Sequence, residues 1–555
     1  MPSSVVTRSY LYQDREIVLP VISVVTDPVN LYDDSLGIYV KGMNGRTGNG
    51  QRTPCNWNMD WDRPVNFEYL TTDGEMVINQ EVDMSMCGGW SRAWTPHSFK
   101  LKAEKIYEGK NFYDYPVFKT KPYLKHKTLQ IRNGGNDTGS RIKDPALQEI
   151  VRTSGFYVDG QAYQPAVHYI NGKYIGLLNI REPNNKHFAY ANYGYDSDEI
   201  DMFEMSPDSG YCQMTGTEDS FLEWYNLTFD ASNPVTYEKI CTMVDIDEYI
   251  NYMAVEMYLG TSDWIRNNVK GFKPREKDGK FHFVLFDLDS AFETNSPFTL
   301  LESRQIFTFN EIYDTGLTLT EEIKLVTIFL NMLDNDEFRK KFIDTFCLVA
   351  GSVFEPERCK NIISTLAGHT YSTLKQEGQN PYNTGNSIIN TLSNRQQIMI
   401  NALKNYWKFY LSDVKEQKIK LSANINEAKI LINDMLVPTN RFDGTLFGPV
   451  AISTNTPPGY KFMGWMSQNK TVDSEEIIFS KGSEWTYYDQ GSLDDEDWIS
   501  ISYSTTSWNN GIAPLGYYTG DNNNSRGYNT ILDYGSNASN KRTTYYFRKT
   551  FNLQT

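Results

Sequence analysis

Apolar and polar side chains alternate along several stretches in the first half of the chain. Residues 65–69, 76–86 and 97–107 run with a period of two, the pattern of half-solvated strands. The apolar run Ile17 to Val25 is strand-sized and closes at Asp27-Pro28. Asn171-Gly172 predicts a hairpin turn between Val167-His-Tyr-Ile170 and Tyr174-Ile-Gly-Leu-Leu178. From residue 245 the period changes. Ile246, Ile250, Met253, Ala254 and Met257 share one helical face, with Asp245 or Asp247 as N-cap and Gly260 as the stop. Residues 319–407 read as largely helical, and short strands return beyond about residue 415.

These patterns predict an α+β fold, β-rich first and helical second, over residues 1–415. Small all-β modules are expected at 416–467 and 468–555, the last one incomplete because the chain stops within a strand pattern at Arg548 to Thr555. A length of 555 residues agrees with three or four domains at roughly 150 residues each.

Composition narrows the function. A chain that is 40% apolar and 22% charged is not disordered throughout. Its net charge of −16 repels phosphate backbones and argues against nucleic acid as a partner. No apolar run approaches the 18 or so residues of a transmembrane segment; Met1-Pro-Ser-Ser shows no basic or apolar export segment, so either the protein is cytosolic or Met1 was added to a chain whose export signal has been cut off. The six cysteines have no metal-ligand spacing; Cys347 and Cys359 are a candidate pair, with buried free thiols the alternative. With six histidines in all, His-based catalysis is not indicated.

Residues 261–292 hold the most informative chemistry. Asp263 and Asn268 lie in a loop leaving the helix that ends at Gly260. A hairpin follows, from Val269 to Lys273 and from Phe281 to Phe286, with Asp287 at the end of its second strand and Asp289 two residues on. Helix, Asp-x4-Asn loop, hairpin and strand-terminal Asp is the order in which protein kinases arrange phosphoryl transfer. There the first Asp receives the hydroxyl proton, while the Asn and the later Asp hold Mg²⁺. Between Arg92 and Arg132 there are also ten Lys/Arg against three acids. Arg92, Lys100 and Lys102 in that patch are candidates for neutralising a triphosphate; the other basic residues read as a solvated sheet face.

The residues resemble the CotH kinase family, named for spore coat protein H, whose members have a divergent protein-kinase-like fold. The matching stretches are Trp90-Ser-Arg-Ala-Trp-Thr-Pro-His-Ser-Phe-Lys-Leu-Lys102, Ile131-Arg-Asn-Gly-Gly-Asn-Asp137, Asn171-Gly-x-Tyr-x-Gly-Leu177 with Glu182, Ser262-Asp-Trp-x3-Asn-Val-Lys270 and Phe286-Asp-Leu-Asp289. The resemblance implies ATP with Mg²⁺ or Mn²⁺, and Ser/Thr of exported or surface proteins as acceptor. It makes Asp263 the catalytic Asp and Asn268, Asp287 and Asp289 metal ligands. Lys100 or Lys102 would contact phosphate, and Glu182 would orient a lysine or a metal. No kinase-type glycine-rich loop stands at a convincing place, since Gly42 to Gly50 is far from Lys102 in sequence.

The tail adds parallels. Gly459-Tyr-Lys-Phe-Met-Gly-Trp465 resembles β repeats of bacterial surface proteins, and residues 485–548 resemble the start of a galactose-binding-like jelly roll. Both imply an extracytoplasmic protein, and the second a glycan contact. The competing expectation is a non-catalytic surface scaffold or adhesin that keeps the kinase-like fold.

Overall fold

The period-two stretches become strands with apolar side chains on one face and polar ones on the other. The structure, a computed structural model, describes residues 6–12, 18–122, 125–206, 210–311, 317–425, 427–466, 482–494, 497–517 and 527–550. It divides into two units, residues 1–462 and 463–555.

In the first unit, strand β1 (Val21–Val25) leads into helix α1 (Pro28–Tyr32), which Asp27 caps and Pro28 starts. The glycine-rich stretch after it forms a separate hairpin of β2 (Arg46–Gly48) and β3 (Gln51–Cys55). Then come β4 (Arg63–Leu70), β5 (Met76–Met86), β6 (Phe99–Lys102) and β7 (Thr128–Arg132). Helix α2 (Lys143–Ser154) and the short β8 (Asp159–Gly160) precede β9 (Tyr163–Ile170) and β10 (Lys173–Arg181). The order β1-β4-β5-β6-β7-β10-β9 closes into a barrel through parallel pairing of β1 with β9. Val82, Met84, Phe99, Leu101, Leu129 and Ile131 lie in its core. Lys100, Lys102, Gln130 and Arg132 alternate with these residues and so stand on the outer face. Asn171-Gly172 is the β9–β10 turn, as the sequence predicts.

Helix α3 (Phe188–Tyr193), strands β11 (Ile200–Ser206) and β12 (Gly210–Thr215), and helices α4 (Asp219–Leu227) and α5 (Pro234–Met243) follow. Helix α6 (Ile246–Leu259) starts at Asp245, whose side chain accepts from the Glu248 amide, and stops at Gly260 in a left-handed conformation. Strands β13 (Val269–Pro274) and β14 (His282–Leu285) form the expected hairpin and join a sheet of order β12-β11-β13-β14-β8.

The first half is less purely β than its pattern suggests. α2 buries Ala146, Leu147, Ile150 and Val151, a helical spacing, and ends on Gly155. Conversely, the helical region begins later than 319. After α7 (Pro297–Ser303), β15 (Ile306–Glu311) pairs with β16 (Leu317–Glu322), because Leu-Thr-Leu-Thr alternates with a period of two. The helical stretch is α8 (Lys324–Met332), α9 (Asp336–Leu348), α10 (Pro356–Gln376) and α11 (Pro381–Asn405).

Packing also moves the boundary expected at 415. Strands β17 (Glu416–Ser422) and β20 (Arg441–Phe447) pair with each other, and β19 (Met435–Leu436), β18 (Lys429–Ile432) and β21 (Ile452–Asn455) form a second small sheet. Ile430, Ile432, Phe442 and Leu446 are buried in the same core as α6, α9 and α11. At roughly 1.5–3 kcal/mol per buried side chain, that packing ties residues 416–455 to the helical part.

In the second unit, β22 (Glu484–Tyr488) is central between β23 (Asn509–Ile512) and β26 (Tyr546–Arg548), and β24 (Leu515–Gly516) pairs with β25 (Thr530–Ile531). Leu493, Trp508 and Tyr546 form its core. Residues 467–481, 518–526 and 551–555, on which part of the expected modules falls, lie outside the described residues. Among the described residues no helix is long and apolar enough to cross a membrane. All six cysteines are free thiols, so Cys347 and Cys359 do not pair.

Candidate active site

Two turns bring the acids of the 261–292 stretch together. The first leaves α6: Gly260 stops the helix, and the loop carries Asp263 to Asn268, where β13 begins. The buried Arg304 guanidinium donates to the Ser262 and Trp264 carbonyls, and the Trp264 indole donates to the Tyr252 hydroxyl at 3.0 Å. These bonds fix the loop around Asp263. The second turn follows β14. Asp287 takes a left-handed backbone (φ 59°) and leads into the short 3₁₀ turn Leu288–Ser290, which carries Asp289. Asn268 is left-handed too (φ 57°). Both are residue types that accept this region at modest cost.

The barrel closes over these turns from the other side. Arg132, at the end of β7, points outward and touches both carboxylates, bonding Asp287 and, at 2.8 Å, Asp289. The Asn133-Gly134-Gly135-Asn136 loop continues the contact. Asn136 donates its amide to Asp289 at 2.9 Å and its carboxamide to Ser290 at 2.7 Å. Gly135 has φ +56°, and a Cβ there would overlap the Asp289 carboxylate, so glycine is required. Asp137 accepts from the Ile142 and Lys143 amides, both at 2.9 Å, and so caps α2. In the first turn of α2, Asp144 accepts from the Leu288 amide at 3.1 Å and pairs with Arg181 of β10 at 3.0 Å. Helix and barrel thus brace the acidic turn.

Electrostatics single out the same residues. Burial and the charge of Asp287 push the Asp289 carboxyl up to about 7, against the pull of Arg132. Burial also raises Asp263; Arg266 opposes this, and Asp287 and Glu293 add to it. Asp263 therefore feels Asp287. Yet among the described residues the three acids do not close to 4.8 Å of one another as a ligand cluster would. The gap suits a group lying between proton acceptor and charge-binding pair. Asn268 is 9% exposed and makes no side-chain hydrogen bond among the described residues. The Asp287 and Asp289 carboxylates, which share one Arg132 nitrogen, and the Asn268 carboxamide are of the hard oxygen type that Mg²⁺ or Mn²⁺ takes.

The basic candidates separate. Lys100 lies across from Gln130, two residues from Arg132 on the same face, and is close enough to weigh on Lys270. Lys102 is one step further away and bonds Glu104. Arg92 is bound elsewhere: its guanidinium donates to the Gly88 carbonyl at 2.9 Å within its own loop and to the Trp57 carbonyl at 3.2 Å in the turn after β3. Glu182 does orient a lysine, but at another place. It pairs with Lys121 at 2.9 Å, and Lys121 also bonds the Gly160 carbonyl and Asn192.

Sequence reasoning missed Arg132, Asn136 and Asp144. The Gly134-Gly135 pair directly after a strand was the available signal, since it marks a close backbone approach. The β5–β6 connection, Cys87 to Ser98, carries Gly88 and Gly89, and Asn133 anchors it by donating to the Pro96 carbonyl at 2.9 Å. The glycine that lies against the acidic turn is Gly135; Gly42 and Gly45 pack against Asn56, and Gly50 against Trp90 of the β5–β6 connection. At the far end of β14, Asp159, Glu248 and His282 bring their ligand atoms within 4.8 Å of one another, with His282 Nδ1 and Glu248 2.5 Å apart.

A barrel closing over an Asp-x4-Asn loop and a strand-terminal Asp defines a kinase-like protein. A family model described as CotH kinase protein matches residues 84–409, more than half of the chain, and the chain belongs to that family. Among solved structures, the crystal structure of a Helicobacter pylori proinflammatory kinase, CtkA, aligns with 48% of this chain and 92% of its own. At 9% identity and a TM-score of 0.21, that likeness is too remote to bear on the chemistry. No curated protein matches.

Proposed function

We propose that the protein is an ATP- and divalent-metal-dependent protein kinase of the CotH type, transferring the γ-phosphate to Ser/Thr of exported or surface proteins. The observation that carries this reading is that Asp263 lies near enough to feel the charge of Asp287, which Arg132 joins to Asp289. Family membership supports the reaction class, and resemblance alone supports the acceptor class and the location. Asn268, Asp287 and Asp289 hold the metal, which when bound neutralises phosphate charge. Lys100 meets the phosphates. Asp263, standing off from the metal pair, orients the acceptor hydroxyl and takes its proton, a role its raised proton affinity favours.

Incubation with γ-labelled ATP and Mg²⁺ or Mn²⁺ tests the reading. Label should enter the protein itself or a Ser/Thr acceptor. Nucleotide binding without transfer under any metal would favour the scaffold reading instead.

A further inference from the structure

Arg132 bridges the two carboxylates that would hold a divalent ion. Its Nη2 bonds the carboxylates of both Asp287 and Asp289. The side chains of Arg132 and Asp289 are only 14% and 5% exposed, so little water screens the contact. We infer that this guanidinium is a placeholder for the divalent ion: it keeps free metal off the Asp287–Asp289 pair and yields when metal arrives together with an anionic phosphate chain. The phosphate half of this inference rests on the kinase reading; the metal half does not.

Which group moves follows from how each is held. Asp289 is fixed by the Asn136 amide at 2.9 Å and carboxamide at 3.3 Å, and is packed against the Gly135 backbone, where no Cβ fits. Asp287 is fixed by the turn it begins. Arg132 hangs on a flexible stem from the last residue of β7. Other cations are occupied: Arg181 pairs with Asp144, and Lys143 donates to the Ala291 carbonyl at 2.9 Å. Charge supplies the coupling. Two carboxylates and one guanidinium sum to −1. With both carboxylates ionised, a dication that displaces the guanidinium but leaves it nearby brings the sum to +1, a site that then calls for an anion. Metal and phosphate therefore raise each other's affinity, as any linked pair must.

The test is Mn²⁺ binding to the full chain without nucleotide, followed by calorimetry or by the free-ion EPR signal. Arg132→Gln should bind Mn²⁺ alone at least tenfold more tightly than wild type, and adding Asp287→Asn should abolish the gain. An arginine needed only to position the carboxylates would lose binding when removed, and one that acted by charge alone would show the gain in Arg132→Gln but none in Arg132→Lys. Arg132→Lys, which keeps the charge but engages one carboxylate at a time, should show a smaller gain, and it serves if the glutamine variant does not fold. Equal or weaker Mn²⁺ binding in the variants overturns the inference. Adding a non-hydrolysable ATP analogue separates the two readings. If wild type does not bind the analogue with Mn²⁺, the kinase reading fails while the metal-alone comparison still decides the role of Arg132.

Discussion

Asp287 and Asp263 sit in adjacent turns but face different demands. Asp287 is held in a left-handed turn against Arg132, so its carboxylate is aimed before any ligand arrives. Replacing it should remove an oxygen ligand without opening a cavity. Asp287→Ala is expected to stay folded and to lose metal-dependent ATP binding, which titration of nucleotide with and without Mn²⁺ will check. Retained metal-dependent binding would remove Asp287 from the site. Asn268→Ala should weaken the same binding in part, because one neutral ligand is lost while both carboxylates remain. Most of the acids were legible in the sequence, since the helix stop, hairpin and strand end around them are local features. Arg132 was not. Its role depends on residues 155 positions away, and only barrel closure reveals them.

At the scale of elements, the barrel interior contains one group that acid should find. His168 of β9 is fully buried, bonds the Ala166 carbonyl through Nδ1 at 2.9 Å, and meets the Phe99 ring edge. Burial lowers its pKa from 6.5 to about 3. The folded form thus keeps His168 neutral, while the unfolded chain protonates it below about 6.5. Its contribution to stability is complete above that pH and is lost as pH falls toward 3, at up to about 1.4 kcal/mol per pH unit. His168→Leu should therefore flatten the acid limb. Urea midpoints at pH 7, 5 and 4 will compare the two proteins, and parallel losses would exclude His168 as the source. Elements with a clean period were predictable: the β9–β10 hairpin, α6 with its Asp245 cap, and β13–β14. Those that failed were short or embedded. α2 sits between strands, and β16 is two acids away from a strongly helical run.

For the whole molecule, residues 1–462 carry every proposed ligand, and residues 463–555 form their own core. Removing the second unit should leave ATP affinity within about threefold, below 1.4 kcal/mol. Loss of binding by a truncation that still unfolds cooperatively would place part of the site in the tail. The 416–455 strands are different. They share the core of α6 and α9, so cutting at 415 should destabilise the first unit rather than trim it. Sequence alone could not tell these two cases apart, because both read as short strands. What distinguishes them is where the apolar faces are buried. The central claim, that this unit transfers phosphate through the Asp263 loop, is tested most directly by phosphate transfer from labelled ATP, measured beside ATP binding in wild type and Asp263→Ala. The account predicts unchanged ATP binding and turnover lower by about 10²- to 10⁴-fold in the variant. Transfer at the wild-type rate by Asp263→Ala would contradict it.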